Sequence, residues 1–156
     1  MSVPGIPPYR PRPQLPTEYV AIGIVHHEGR ILVARRKKGF FLGGYWEFPG
    51  GKREPLESYA QCVVRELREE TGIEVRIVRE LLPVRHDYRR KRVVLQPYLC
   101  ALVSGEARPL ASEEVRWVTP EELTRLKVPP ASVPLVERIV SGLDLATGEP
   151  GPRDPV

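Results

Sequence analysis

Cysteine is scarce in this chain. Cys62 and Cys100 are the only two in 156 residues, and they lack both the close spacing of a zinc site and the density of a disulfide framework. Reduced thiols are expected at both, and neither sits in a nucleophile-like setting. Long hydrophobic runs are missing too: none approaches the roughly 20 apolar residues of a membrane-spanning helix, and the N-terminal stretch has no apolar signal-peptide core. The expectation is a cytoplasmic protein with no membrane partner. Aromatic residues make up 7% of the chain and are not interleaved with a continuous basic stripe, as they are in single-strand binders. The net charge of +4 is a modest excess. No stable nucleic-acid complex is therefore expected, whereas a small anionic ligand suits a surface that is basic outside one acidic segment.

What is present is a composition of 41% hydrophobic and 28% charged residues, that of a soluble globular protein with room for one sizeable core. The proline-rich stretch Met1–Pro16 reads as an extended or disordered arm and residues 144–156 as a flexible tail, leaving 17–143 for the domain. The run YVAIGIVHH, the Glu28-Gly29 turn signal and RILVARR predict a β-hairpin. Arg35, with Arg36 beside it, closes the second strand as a candidate phosphate contact, against the competing reading of a solvated strand end. The glycine-containing loop that follows feeds Trp46 and Phe48, which either wall a site for a stacked base or anchor the loop on the core. Next come Gly50 and Gly51, where the backbone can approach a ligand and offer a carbonyl to a metal shell. Lys52, beside them, is a candidate phosphate contact.

A helix is predicted from about Leu56 to Thr71, with Pro55 in its first turn, Glu54 or Ser58 as cap, and Gly72 as its left-handed stop. Its apolar stripe is Ala60, Val63, Val64 and Leu67. Glu66 and Glu70 are i,i+4 neighbours and Glu69 lies beside both, so three carboxylates share one face. Like charges at that spacing repel by about 0.2–0.5 kcal/mol. A hard divalent cation is one compensation, and Mg²⁺ is commonly held by carboxylates, waters and substrate phosphates. Neutralisation of a solvated face by Arg65 and Arg68 is the other.

Two antiparallel strands, VRIVRELLPVRHDY and KRVVLQPYLCALV, should follow, linked by the basic turn Tyr88–Arg92, with Pro97 marking an edge or bulge. A short strand then leads through Thr119 into a helix Pro120–Leu126. The last helix should bury Leu135, Val136, Ile139 and Val140.

Gly51, five residues, Glu57, seven residues, Arg65-Glu66-Leu67, one residue, Glu69-Glu70, one residue and Gly72-Ile73 together resemble the Nudix box at every defined position. The upstream run Trp46-Glu47-Phe48-Pro49-Gly50-Gly51-Lys52 resembles the MutT-type branch of that family. The resemblance implies an α+β fold, the Nudix α/β/α sandwich with a mixed central sheet in a single domain. It also implies Mg²⁺ as cofactor, with Mn²⁺ as a substitute, and a nucleotide substrate acted on by a monomer or homodimer. Cleavage of a nucleoside triphosphate, 8-oxo-dGTP-like among the options, to monophosphate and pyrophosphate by water is the leading activity. Glu66, Glu69 and Glu70 would hold the metal with the Gly51 carbonyl, Glu57 would orient them, and Arg65 would fix the array by ion pairing. Glu113 or Glu114, on the loop before Trp117, would join the metal site or act as base, Glu66 being the other candidate base. Val128–Pro134 resembles the MutT-type turn in which an asparagine reads the purine, but Ser132 stands at that position here, so the mode of base recognition does not transfer. Other diphosphates (a pyrimidine triphosphate, ADP-ribose, a dinucleoside polyphosphate) are the alternative substrates. A non-catalytic module that binds oxidised purines in DNA is the alternative of another class.

Overall fold

Alternating apolar residues from Thr17 onward build the central strand β1, Thr17–His27, whose residues 21–25 are all buried. Glu28 and Gly29 both take positive φ, 50° and 75°, the geometry of a tight hairpin turn. The turn returns the chain as β2, Arg30–Arg35, with His27 opposite Arg30. The computed structural model describes residues 4–5, 8–9 and 14–151. The greater part of the expected arm over 1–16, and residues 152–156 of the expected tail, lie outside the described residues.

Two short strands, β3 (Trp46–Glu47) and β4 (Gly50–Gly51), pair with β2 and β1 respectively. Helix α1, Tyr59–Thr71, follows. It begins later than expected because Leu56 sits at φ 66° and cannot be helical. Ser58, one of the two expected caps, closes a capping box with Gln61 instead, and Gly72 ends the helix at φ 77°. Strands β5 (Glu74–Glu80), β6 (Val84–Asp87) and β7 (Arg92–Ser104) come next. Then follow β8 (Glu114–Val118), the short helix α2 (Pro120–Leu123), a 3₁₀ turn Pro130–Ser132 and α3 (Val133–Val140).

The strands form one eight-stranded mixed sheet with the path β3-β2-β1-β7-β5, on which β4 joins β1, β6 joins β7 and β8 joins β2. Its centre is parallel: β1 runs beside β7 from Thr17 opposite Arg92 to His26 opposite Ala101. β5 and β6 both lie antiparallel to β7. Pro97 thus occupies a central strand rather than an edge. It is accommodated because the β7 partner changes there from β5 to β6, and its carbonyl still accepts from Leu81 N–H at 2.9 Å.

Each face of the sheet carries its own apolar layer. On one side Val63 and Leu67 of α1 are fully buried with Val25, Leu32 and Ile73, each side chain contributing about 1.5–3 kcal/mol. On the other, Leu123 of α2 and Leu135, Val136 and Ile139 of α3 pack on Ile24, Val33 and Leu99. Val140, expected in that layer, is exposed, and α2 stops at Leu123 rather than Leu126. This is the α/β/α sandwich with a mixed sheet. Among the described residues no helix is long and apolar enough to cross a membrane. Both thiols are free and buried, and burial pushes Cys62 up to about 11 and Cys100 up to about 12.

Candidate active site

Pairing of β4 with β1 places Gly50 opposite Ile22 and Gly51 opposite Ala21, directly beneath the acidic face of α1. The fit allows no side chain at Gly50, and at Gly51 only if the Glu66 carboxylate moves aside. A Cβ on Gly50 would stand 2.0 Å from the Ala21 carbonyl oxygen, and one on Gly51 would stand 2.6 Å from the Glu66 carboxyl carbon. Gly50 N–H donates to Glu70 Oε2 at 3.2 Å. The two glycines therefore bring bare backbone against two carboxylates of the helix.

Arg65 organises the acidic residues. Its Nε and Nη2 donate to the two oxygens of Glu57 at 2.7 and 2.9 Å. Its Nη1 reaches Glu66 at 2.9 Å and Glu69 at 3.1 Å, and Nη2 also meets the Lys52 carbonyl at 3.3 Å. The hydrogen bond from Arg65, with a second from Glu54 N–H, pulls the Glu57 carboxyl down to about 2 despite partial burial. Glu70 behaves oppositely. Burial, then the charge of Glu66 and a hydrogen bond with it, pushes Glu70 up to about 8. Burial also raises Glu47, against the pull of Arg36.

Among the described residues no group of three or more histidine, cysteine, aspartate or glutamate side chains is assembled to hold a metal ion. Glu69 is turned outward to Arg65, with 57% of its side chain accessible. The donors that do converge suit a hard divalent cation all the same. They are oxygen only, and the repulsion between the half-buried Glu70 carboxylate and Glu66 is one that a cation would relieve.

Beside this cluster opens a cavity of about 790 Å³. Glu70, Gly50 and Gly51 line one end, and Arg36, Lys37, Lys52 and Lys91 bring positive charge to it. Of the residues singled out from the sequence, Lys52, Phe48 and Ser132 line the cavity along with Gly51 and Glu70. Glu66, Glu69, Glu57 and Arg65 stand beside it on α1 and its leading loop. Trp46 does not line it: that ring is buried in the core and flanked by the guanidinium groups of Arg35 and Arg116. Arg35 points the same way, toward Glu113 at 3.5 Å and Glu114 at 3.6 Å. Arg36, two residues from the cavity-lining Ala34 along the strand direction, takes the cavity side. Glu113 and Glu114 are engaged with Arg35, and Glu113 also accepts from Lys38 N–H at 3.1 Å. Neither lines the cavity.

Two acidic residues of the cavity were missed in the sequence, Glu18 and Glu47. Glu18 was detectable by parity, because it falls in phase with Val20 and Ile22 on one face of β1.

Comparison with known proteins agrees with this geometry. A CTP pyrophosphohydrolase of Escherichia coli K12 is 33% identical over 122 residues, spanning 78% of this chain and 90% of that protein. An 8-oxo-dGTP diphosphatase of the same organism is 29% identical over 121 residues, 77% of this chain and 94% of its own length. The crystal structure of the MutT protein from Methanosarcina mazei Go1 superposes with a TM-score of 0.71 at 26% identity, covering 81% of this chain and 94% of that one. The NUDIX domain profile matches residues 20–138, and the chain belongs to the Nudix hydrolase family.

Proposed function

We propose that this chain is a Mg²⁺-dependent pyrophosphohydrolase of nucleoside triphosphates that releases a monophosphate and pyrophosphate by attack of water, in the cytoplasm. The observation that carries the reading is the abutment of Glu66 and Glu70 on the Gly50–Gly51 backbone at the mouth of a cavity with basic walls. Relatives named for CTP and for 8-oxo-dGTP support a substrate among the nucleoside triphosphates.

Glu66, Glu69, Glu70 and the Gly51 carbonyl would hold Mg²⁺, or Mn²⁺ in its place. Such an ion, when bound, neutralises phosphate oxygens and acidifies the attacking water. Arg65 keeps Glu57, Glu66 and Glu69 in one array, from which Glu69 would serve as the exposed donor. Arg36 and Lys37 offset the charge of the phosphate chain. Glu66 is our assignment for the base, because Glu113 and Glu114 are bound to Arg35 away from the cavity.

The experiment is hydrolysis of ordinary and oxidised nucleoside triphosphates with Mg²⁺ by the wild type and by the Glu69→Gln, Glu70→Gln double variant, with products identified. Monophosphate plus pyrophosphate from the wild type alone is expected. Equal turnover by the double variant would sink the assignment.

A further inference from the structure

The cavity holds a carboxylate that the hydrolytic chemistry does not use. Glu18, Val20 and Ile22 project from one face of β1, and all three line the cavity floor. Ile22 pairs with Gly50, beside Glu70. Four residues of strand at 3.3 Å each put Glu18 about 13 Å away from that end. It therefore stands where the nucleoside of a bound triphosphate would lie, and not its phosphates.

The surroundings of Glu18 are those of a base site. Its Oε2 is 3.4 Å from Lys91 Nζ and its Oε1 is 3.7 Å from Lys52 Nζ. Lys91 Nζ lies 4.5 Å from the centre of the Phe41 ring, and that ring meets Tyr88 edge-on at 5.6 Å. The Tyr88 hydroxyl accepts from Ala131 N–H at 3.3 Å. A continuous run of contacts thus leads from the carboxylate to the turn bearing Ser132, a buried residue whose hydroxyl caps no helix and which lines the same cavity. Lys91 makes a long hydrogen bond to Glu18 and the Lys52 pair is longer still; both lie at a partly open surface, so they rearrange at little cost.

We propose that Glu18 is a specificity-determining residue that reads the Watson–Crick edge of a guanine-type base, an inference that rests on the triphosphate reading above. An ionised carboxylate only accepts, through two oxygens side by side. Guanine presents two adjacent donors, N1–H and the 2-amino group, that match those oxygens. Adenine and cytosine turn an unprotonated ring nitrogen toward the carboxylate, and thymine or uracil offers one N–H between two carbonyls. Lys91, the neighbour of Glu18, then donates to the guanine O6. Oxidation at C8 leaves both donors in place, so Glu18 selects the guanine class, and the lesion is read elsewhere.

The test compares wild type, Glu18→Gln and Glu18→Leu on dGTP, dITP, dATP and dCTP. Glu18→Leu is expected to lower kcat/KM for dGTP about tenfold, the loss of a charge-assisted hydrogen bond. The loss falls in KM, while dATP and dCTP change little. dITP, which lacks the 2-amino group, should lie between, and Glu18→Gln should retain part of the preference. A merely structural role, holding Lys52 and Lys91, would lower all four substrates together, and that result overturns the proposal. So does a wild type that shows no preference for guanine. Binding of dGMP and dAMP by calorimetry keeps the two readings apart: a guanine preference lost in Glu18→Leu supports the base site even where no triphosphate is hydrolysed, and an unchanged preference refutes it.

Discussion

Arg65 and Glu57 meet as a fork, with Nε and Nη2 donating to the two oxygens of one carboxylate at 2.7 and 2.9 Å. The planar guanidinium still has Nη1 free for Glu66 and Glu69, so one side chain joins the loop before α1 to the acidic face of the helix. An ammonium is a point charge and cannot span these partners. Arg65→Lys is expected to weaken Mg²⁺ affinity about 10–100-fold, read as the rise in half-saturating Mg²⁺ for hydrolysis, with the circular dichroism unchanged.

The neighbouring glycines predict opposite phenotypes. A Cβ at Gly50 meets the Ala21 carbonyl at 2.0 Å, backbone against backbone, so Gly50→Ala should lower the melting temperature sharply or prevent folding. At Gly51 the obstacle is the Glu66 carboxylate at 2.6 Å, a side chain that can swing aside. Gly51→Ala should fold and lose about 10²-fold in kcat, the cost of a misplacement near 1 Å. Melting curves and turnover on the same samples separate the two.

Glu70 and Glu57 give the metal-free protein a pH-dependent stability with two arms. Glu70 is raised from 4.5 to about 8, so between those values the folded state holds a proton that the unfolded chain releases. Stability must then fall as pH rises through that window. Glu57 is lowered from 4.5 to about 2, so its contribution is complete above 4.5 and is lost as pH falls toward 2. Melting temperature should pass through a maximum near the ordinary carboxylate range, shifting by about 2–4 °C for each kcal/mol. Glu70→Gln is expected to flatten the alkaline arm, and saturating Mg²⁺ to do the same for the wild type.

Ser58 closes the start of α1 through its hydroxyl, which accepts from Gln61 N–H at 3.0 Å. Ser58→Ala should cost about 1 kcal/mol of stability in thermal or denaturant unfolding. Ser58→Asp should restore it, because aspartate caps equally well.

Much of this could be read in the chain. Gly72 as the stop of α1, the placing of Glu66 one turn before Glu70, and the hairpin at Glu28-Gly29 are local signals, set by residue type and spacing. The positive φ of Leu56, which delays the helix, leaves no mark in a residue that ordinarily avoids it. Side-chain direction was harder still. Arg35 and Arg36 are chemically equivalent candidates, and only the pairing of β2 with β3 and β8 settles that Arg35 faces Glu113 and Glu114 while Arg36 faces the cavity. Those two glutamates look available in the sequence because their partner lies far away along it. Trp46 was ambiguous for a similar reason, since an aromatic ring beside a site and one beneath it have the same local sequence.

The parallel pairing of β1 with β7 also governs how the chain is made. Thr17 and Arg92 are about 75 residues apart, so when the hairpin and α1 have left the ribosome, the strand that completes the centre of the sheet has yet to be synthesised. Until then β1 presents an open edge, and the apolar stripe of α1 has only part of its floor. Such distant pairings slow folding and leave adhesive surface exposed meanwhile. Interruption of synthesis before Ser104 should therefore yield aggregating nascent chains rather than a smaller working enzyme.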